Sequence, residues 1–506
     1  MKTAKRGITY VAGQSLGSLL ILIMYAVLAH MLSVGNWGVY SIIIAFYTFL
    51  GLLGNFAIGA ALRQQFARRR SAAAKKRLVA SAYVASLTVS LVAALAGVLA
   101  SRYIAVTLYH SVSLAQLLVV ASVLAVCWAI FNLTLSVLVV FGRVAKAALT
   151  AIVYAGVQLA VSPLLVAMGY GLGGTVAGLA AGIVAAMLLG IAYVSKELGG
   201  IRLVPGRGDL AAIFKFASPV YMSQLAAQGI YNFSILLLGS VAVAATVGNF
   251  AIGYRLGSFV SIMLTTSVFV LVPAFSFEAA AGRLKRMGKA LNMSIYYALL
   301  FIAPAVAYVA SVAKPLVYLI FSHKYAIAPA YLSVVAVGLG ISMVSSYASA
   351  MLFGMGDLWR FIKYQITAIL VELTLLLALA PLFKASGVLV ALFVISPILI
   401  DGIYIKGLVA SGVYKPAVRK PLMVVLAAFI VFMLMYAVSH ELAVSYGAIA
   451  SNLLILLVAY PPVLAVVGGV SDAEVAFLKR VFGELRGAWP MRLILAYASV
   501  FVKRRD

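Results

Sequence analysis

Apolar runs long enough to cross a bilayer recur about fourteen times along this chain, and no other feature constrains its fold as strongly. A helix needs roughly 20 apolar residues to traverse the hydrocarbon. Inside that layer every backbone amide must be paired, which leaves helices or closed barrels as the spanning structures. Long continuous runs without alternation are helical. The expected spans are 7–32, 38–62, 78–101, 115–141, 147–169, 174–194 and 216–239, then 248–273, 290–313, 328–353, 364–382, 387–408, 421–438 and 445–469. Hydrophobic residues make up 65% of the 506 and charged residues 10%, too few to cover a water-facing surface. The expected fold class is therefore all-α, a polytopic membrane protein with about 14 transmembrane helices.

Lys and Arg number 38 against 11 Asp and Glu, a formal charge of +27 that in a soluble chain would suggest nucleic acid. Their placement gives another reading. With the N-terminus inside, about 33 cations fall in cytoplasmic segments, as short inner loops require. Arg102, Lys314, Lys324 and Lys384 fall outside, and Arg255 lies within the eighth span. The expected location is the cell membrane, multi-pass, with both termini cytoplasmic and no nucleic-acid partner. The basic rim would attract anionic membrane lipid. One cysteine, Cys127, and four histidines argue against a disulfide framework or a metal centre. The first apolar stretch is too long for a cleavable signal and lacks a processing site.

An internal repeat organises the spans. VGNWGVYS begins at Val34 and VGNFAIGY at Val247, an offset of about 213 residues. The same shift carries His110 to His323, Gly174 to Gly387 and the basic loop 63–77 to 283–289. Phe141 and Gly142 match Phe353 and Gly354 within one residue. Six spans per unit bring the second copy in with the same orientation, giving two six-helix parallel-repeat lobes. The expected division is 1–200 and 213–412 for the lobes, 421–469 for two extra helices and 470–506 for a cytoplasmic amphipathic tail. There Ser471 and Glu474 form a capping box ahead of Val475, Leu478, Phe482 and Leu485, which reads as an interfacial helix. The stretch from Met491 is too short to cross and ends in cations, reading as a surface anchor.

Two parallel-repeat bundles imply a central cleft that opens alternately to each side. ATP hydrolysis has no support, because no GxxxxGK[ST] occurs. The GxGxxG from Gly169 to Gly174 has no strand before it. The outer loops are too short to carry the acids or bases of a glycosyltransferase, so no enzyme activity is expected.

The first span followed by HMLSVGNWGVYSIII, the segment VGNFAIGYRLGSFV, the segment LVYLIFSHKYAIAPAYL and SAMLFGMGD together resemble the multidrug/oligosaccharidyl-lipid/polysaccharide (MOP) flippase superfamily, in particular its Wzx-like polysaccharide-transporter branch. The resemblance covers the whole chain diffusely. It implies two facing lobes and movement of polyprenyl-phosphate-linked or pyrophosphate-linked oligosaccharide to the outer leaflet by alternating access, by a protein expected to be a monomer. The alternative is a cation-coupled multidrug exporter of the MATE type, which the scarcity of intramembrane carboxylates argues against. Moving two negative charges out through about 100 mV gains on the order of 4.6 kcal/mol, so voltage alone could drive export.

Intramembrane polar residues supply the candidate site. Arg255 either holds a phosphate by a charge-assisted bond or snorkels to the outer interface. The resemblance favours the first role, since lipid II flippases use cations in the first, second and eighth helices; span 1 here has none in its apolar body. Tyr221, Gln224, Gln228 and Tyr231 fall on one face of span 7, and Tyr10, Gln14 and Tyr25 lie on span 1. Both sets suit sugar binding or plain interhelical hydrogen bonding. Arg63 opens a loop that either fixes orientation or gathers anionic headgroups. Glu372 and Asp401 are candidates for Na⁺ or H⁺ coupling, with Glu372 alternatively a buried pair or a neutral protonated carboxyl and Asp401 alternatively paired to Lys406 or another inner cation; no other cofactor is implied.

Overall fold

The computed structural model describes residues 2–200, 204–441, 444–483, 496, 497 and 499–501, and every regular element among them is helical. The chain forms two compact units, Met1–Gly248 with Ala380–Ala385, and Asn249–Leu379 with Ser386–Asp506. The first is built from α1 (Lys2–Met31), α2 (Val34–Asn55), α3 (Ile58–Arg68), α4 (Ala72–Tyr103), α5 (Val112–Val140), α6 (Val144–Leu165), α7 (Gly171–Leu198), α8 (Arg207–Gln224), α9 (Ile230–Val241) and the start of α10 (Ala244–Gly257). The second continues through α11 (Phe259–Ala280), α12 (Leu284–Ser311), α13 (Ala313–Ile320), α14 (Ala328–Ile341), α15 (Met343–Gly354), α16 (Leu358–Val390), α17 (Ser396–Ala410), α18 (Arg419–Glu441), α19 (Tyr446–Val467) and α20 (Asp472–Gly483).

The all-α, polytopic architecture expected from the apolar runs is present. Among the described residues, 10 helical stretches are long and apolar enough to cross a membrane. Two of them, Val144–Leu198 and Leu358–Ala410, each carry two expected spans in one helical run. The chain reverses inside these runs at positive-φ residues, Gly169 (φ 93°) and Gly171 (φ 50°) in the first and Lys384 (φ 52°) in the second. Spans 7 and 8 each carry a backbone irregularity. Span 7 is split into α8 and α9 by a π-helical turn at Leu225–Gly229, downstream of Pro219, whose missing N–H already weakens the ladder. Span 8 breaks at Ser258, between α10 and α11.

In the first unit, Leu62, Leu78, Leu133, Val137, Val194, Ile213 and Tyr221 share one buried core, joining α3, α4, α5, α7 and α8. Packing therefore carries the first compact unit past the point where the repeat restarts. At Val34 and Val247 the repeated Val-Gly-Asn segments meet. A Cβ on Gly38 would lie 1.7 Å from the Ala244 carbonyl oxygen, and one on Gly248 would lie 2.6 Å from that of Val34. Only glycine permits this backbone approach.

Helix α20 is capped as its sequence requires: the Ser471 amide donates to Glu474 Oε2 at 2.8 Å, and the Ser471 hydroxyl also meets that carboxylate. Its apolar face is not left for the membrane surface, however. Val475 and Leu478 are buried in a cluster with Tyr296, Val424, Val431 and Tyr460, so the helix is part of the second unit's core. The side chains of Phe482 and Leu485, and most of the stretch from Met491, lie outside the described residues.

Candidate functional site

Helix α2 ends in two consecutive non-glycine residues in the left-handed region, Phe56 (φ 41°) and Ala57 (φ 53°). Left-handed geometry costs an ordinary residue roughly 1–2 kcal/mol, so tertiary contacts must hold it. Here Phe56 stacks on Tyr221 with ring centres 4.3 Å apart, while Ala57 and Ile58 are fully buried in the core. The break redirects the chain into α3, which carries Arg63. Gly59, one turn earlier, lies against α5: a Cβ there would sit 2.5 Å from Ser136 Oγ. That close approach lets Arg63 Nη1 donate to Ser136 Oγ at 2.8 Å.

Arg63 lines a cavity of about 390 Å³ within the first unit. Helix α1 contributes Gln14, Gly17, Ser18 and Ile21; α5 contributes Trp128, Phe131, Asn132, Leu135 and Ser136; α6 contributes Ala151 and Tyr154. Trp128, Phe131 and Tyr154 form an aromatic wall, with ring centres 5.4 to 5.6 Å apart. Asn132 donates to the Trp128 carbonyl at 2.8 Å, which fixes its carboxamide along α5. Among the described residues, Arg63 is the one charged side chain in the lining. A cation, two carboxamides and the half-buried rings of Trp128 and Tyr154 can hold an anion, hydrogen-bond hydroxyls and cover the apolar face of a sugar ring.

Gln14 and Arg63, singled out in the sequence for separate reasons, are thus brought together. Trp128, Asn132, Ser136 and Tyr154 were not singled out, although Trp128, Asn132 and Ser136 recur at every fourth residue and so share a helix face. Tyr25 is buried and packs edge-on against Trp37 at 5.6 Å, outside the lining. The side chain of Tyr10 lies outside the described residues.

The span 7 residues are distributed differently from the regular-helix expectation. The π-turn at Leu225–Gly229 interrupts the register between Gln224 and Tyr231. Tyr221 is core, Gln224 and Tyr231 are half-buried, and Gln228 is exposed. The Gln228 carbonyl accepts from Asn232 at 2.8 Å, and Asn232 Oδ1 meets Thr48 Oγ1 at 2.8 Å.

Arg255 and Glu372 belong to the second unit, where both lie within electrostatic reach of Tyr254. Glu372 Oε2 is buried without a hydrogen-bond partner. Asp401 does not pair with Lys406. Its Oδ1 accepts the Ser345 amide at 2.8 Å, and Lys406 is exposed. The cause is the break at Ser342 between α14 and α15: a new helix start exposes unpaired amides in its first turn, and a carboxylate from α17 caps one of them.

Helix pattern and polytopic architecture define the class, a multi-pass membrane protein with the fold of the MOP superfamily. The profile of the family described as "Polysaccharide biosynthesis protein" matches residues 27–330, and the chain belongs to that family. Similar solved structures include lipid II flippase MurJ in an inward closed conformation, at 15% identity and a TM-score of 0.71, covering 92% of this chain and 98% of that one. An inward-facing multidrug resistance MATE family transporter matches at 17% identity and a TM-score of 0.60, covering 80% of this chain and 98% of its own. A MOP superfamily transporter from Pyrococcus furiosus Vc1 (DSM3638), described as having a binding pocket of reverse polarity, matches at 17% identity and a TM-score of 0.56, over 81% and 95%. No curated protein matches the chain.

Proposed function

We propose that this protein is a flippase, not an enzyme, moving polyprenyl-phosphate-linked or pyrophosphate-linked oligosaccharide from the cytoplasmic to the outer leaflet of the cell membrane by alternating access. The observation that carries the reading is the cavity lined by Arg63, Gln14, Asn132, Trp128 and Tyr154, which joins one cation to sugar-binding chemistry and has no acid among its described lining residues. A site for cationic drugs would need the opposite charge. Family membership and the MurJ-like fold support the same assignment. The saccharide head is masked within the protein while the polyprenyl chain stays in lipid, which avoids the prohibitive transfer of charged and hydroxylated groups through hydrocarbon. Both termini face the cytoplasm in this reading, on the basis of cation placement.

Arg255 is a second phosphate-holding group in this reading, with the span 7 amides and tyrosines available to the glycan. Glu372 and Asp401 are the positions for Na⁺ or H⁺ coupling; the unpartnered Glu372 Oε2 supports Glu372 more strongly, since Asp401 already serves a helix start. The test is reconstitution into liposomes with a labelled lipid-linked oligosaccharide, scored by loss of label accessibility from one leaflet. Transbilayer movement above that of protein-free vesicles is expected. Transport of a soluble organic cation, with no movement of any anionic glycolipid, would replace the reading with the exporter alternative.

A further inference from the structure

Asp209, Ile213, Ala217 and Tyr221 recur at every fourth residue of α8, share one helix face and are its buried residues. That face packs on α3 and α4, where Ile213, Ala217 and Tyr221 join the core of Leu62, Phe66 and Leu78. Past the π-helical turn at Leu225–Gly229 a separate seam begins. Ile230, Ser234, Ile235 and Leu238 are buried in α9, which packs on α2. The π-turn breaks the α-helical register, so the two seams are not one continuous face. Their partners are also parted, since the Phe56–Ala57 break divides α2 from α3. Spans 2 and 7 are therefore interrupted together, with α3 paired to α8 on one side of the breaks and α2 paired to α9 on the other.

The two pairings are fastened by different chemistry. Asp209 Oδ1 accepts from Arg69 Nη2, and Asp209 Oδ2 accepts from Arg77 Nε at 2.8 Å. The Gly206 amide donates to Ser81 Oγ at 3.0 Å, and a Cβ on Gly206 would lie 2.8 Å from Asp209 Oδ2. Arg69 follows α3, and Arg77 and Ser81 lie in α4, so the start of α8 is bound to the elements its seam covers. The Asp209 side chain is 2% exposed, whereas those of Arg69 and Arg77 are 31% and 56% exposed. Water reaches the cations, and the carboxylate meets water only when α8 moves away. Arg69 Nε is buried without a hydrogen-bond partner, a cost that such a movement removes. Neutral bonds hold α9 instead: the Thr48 hydroxyl donates to Asn232 Oδ1 at 2.8 Å, and the Tyr109 hydroxyl donates to the Leu236 carbonyl at 2.9 Å.

We infer that Asp209, Arg69 and Arg77 form a latch that holds α8 on α3 and α4, and that α8 opens about the turn at Leu225–Gly229 while α9 stays on α2. This latch goes beyond the flippase reading, since it depends on no particular substrate. A π-turn is an established place for a helix to bend. The seam suits brief opening as well, because its middle member, Ala217, offers a single methyl group and little apolar area to water.

The test uses the full-length protein in detergent with Cys127→Ala, which removes its one cysteine. One reporter is added at a time, Ala217→Cys in the α8 seam or Ser234→Cys in the α9 seam, both at fully buried positions. The rate of N-ethylmaleimide labelling, read by mass, reports opening of each seam. With Asp209 present, position 217 is expected to label faster than position 234. Asp209→Asn should accelerate labelling at 217 by about tenfold or more and change it by less than about twofold at 234, as local opening requires. Raising NaCl from about 0.1 to about 1 M should also accelerate 217 alone, because salt screens ion pairs that water reaches. Asp209→Glu should restore part of the protection. Equal acceleration at both positions would show general loosening and overturn the latch. Unchanged labelling at 217 in Asp209→Asn, or at high salt, would overturn it too. None of these readings requires transport, so the latch and the flippase assignment can fail separately.

Discussion

Arg63 acts in this account through neighbours that the sequence hides. Gly59→Ala would bring a methyl group to 2.5 Å from Ser136 Oγ, forcing α3 and α5 apart. The expected result is destabilisation by about 1–3 kcal/mol, together with weaker binding at the cavity, read as lower thermal stability in detergent and lower affinity for the labelled lipid-linked oligosaccharide. An unchanged affinity would detach Gly59 from the site. Asp401 gives a second prediction at this scale. Asp401→Ala leaves the Ser345 amide unmatched and should cost about 1–3 kcal/mol, whereas Asp401→Asn keeps an acceptor and should cost less. Equal stability of the two variants, measured by thermal unfolding, would contradict the capping role. Gln14 was legible because a polar group in an apolar run stands out, and Arg63 because it opens a cluster of cations. Trp128 and Tyr154 were not, because an aromatic residue in a membrane span is equally at home against lipid, and only the packing of α1, α5 and α6 shows which side it faces.

Breaks within the helical runs separate what the elements show from what periodicity shows. Gly169 and Gly171 mark their reversal openly, since glycine takes positive φ at no steric cost. Lys384 does the same job at φ 52° without that freedom, and nothing in its sequence context signals it. Lys384→Gly should therefore raise stability, by about 1 kcal/mol from relieved strain less the added entropy of the unfolded chain, seen as a higher Tm; a lower Tm would show that the Lys384 backbone is unstrained. The broken helices α2–α3 and α8–α9 were equally unreadable as apolar runs, because a π-turn or a two-residue left-handed kink does not change hydropathy. Helix α20 was legible as a capped amphipathic helix, but its partner was not. Burial raises the Glu474 pKa, and hydrogen bonds from Lys420 and Ser471 outweigh it, holding the carboxyl below its ordinary range. With the folded value below the unfolded one, the contact contributes fully at neutral pH and is lost as pH falls through the folded value. Limited proteolysis should accordingly cut near α20 only in acid for the parent, and already at pH 7 for Glu474→Gln. Identical digestion of both proteins at pH 7 would contradict this.

For the whole molecule, apolar length and cation placement were enough to give a polytopic all-α chain, because the bilayer leaves so few alternatives. The repeat located the paired Val-Gly-Asn segments whose glycines allow α2 and α10 to approach, as seen at Gly38 and Gly248. Where the compact units divide was beyond sequence, since it depends on α8 and α9 packing with α2, α3 and α4 rather than on where the repeat begins again. The central claim is that a cation-bearing, sugar-compatible cavity makes this chain a carrier of anionic lipid-linked saccharides. The most direct measurement is the initial flipping rate of one labelled lipid-linked oligosaccharide in proteoliposomes containing equal amounts of folded parent or Arg63→Ala. The account predicts at least a tenfold lower rate for the variant; equal rates in the two would contradict it.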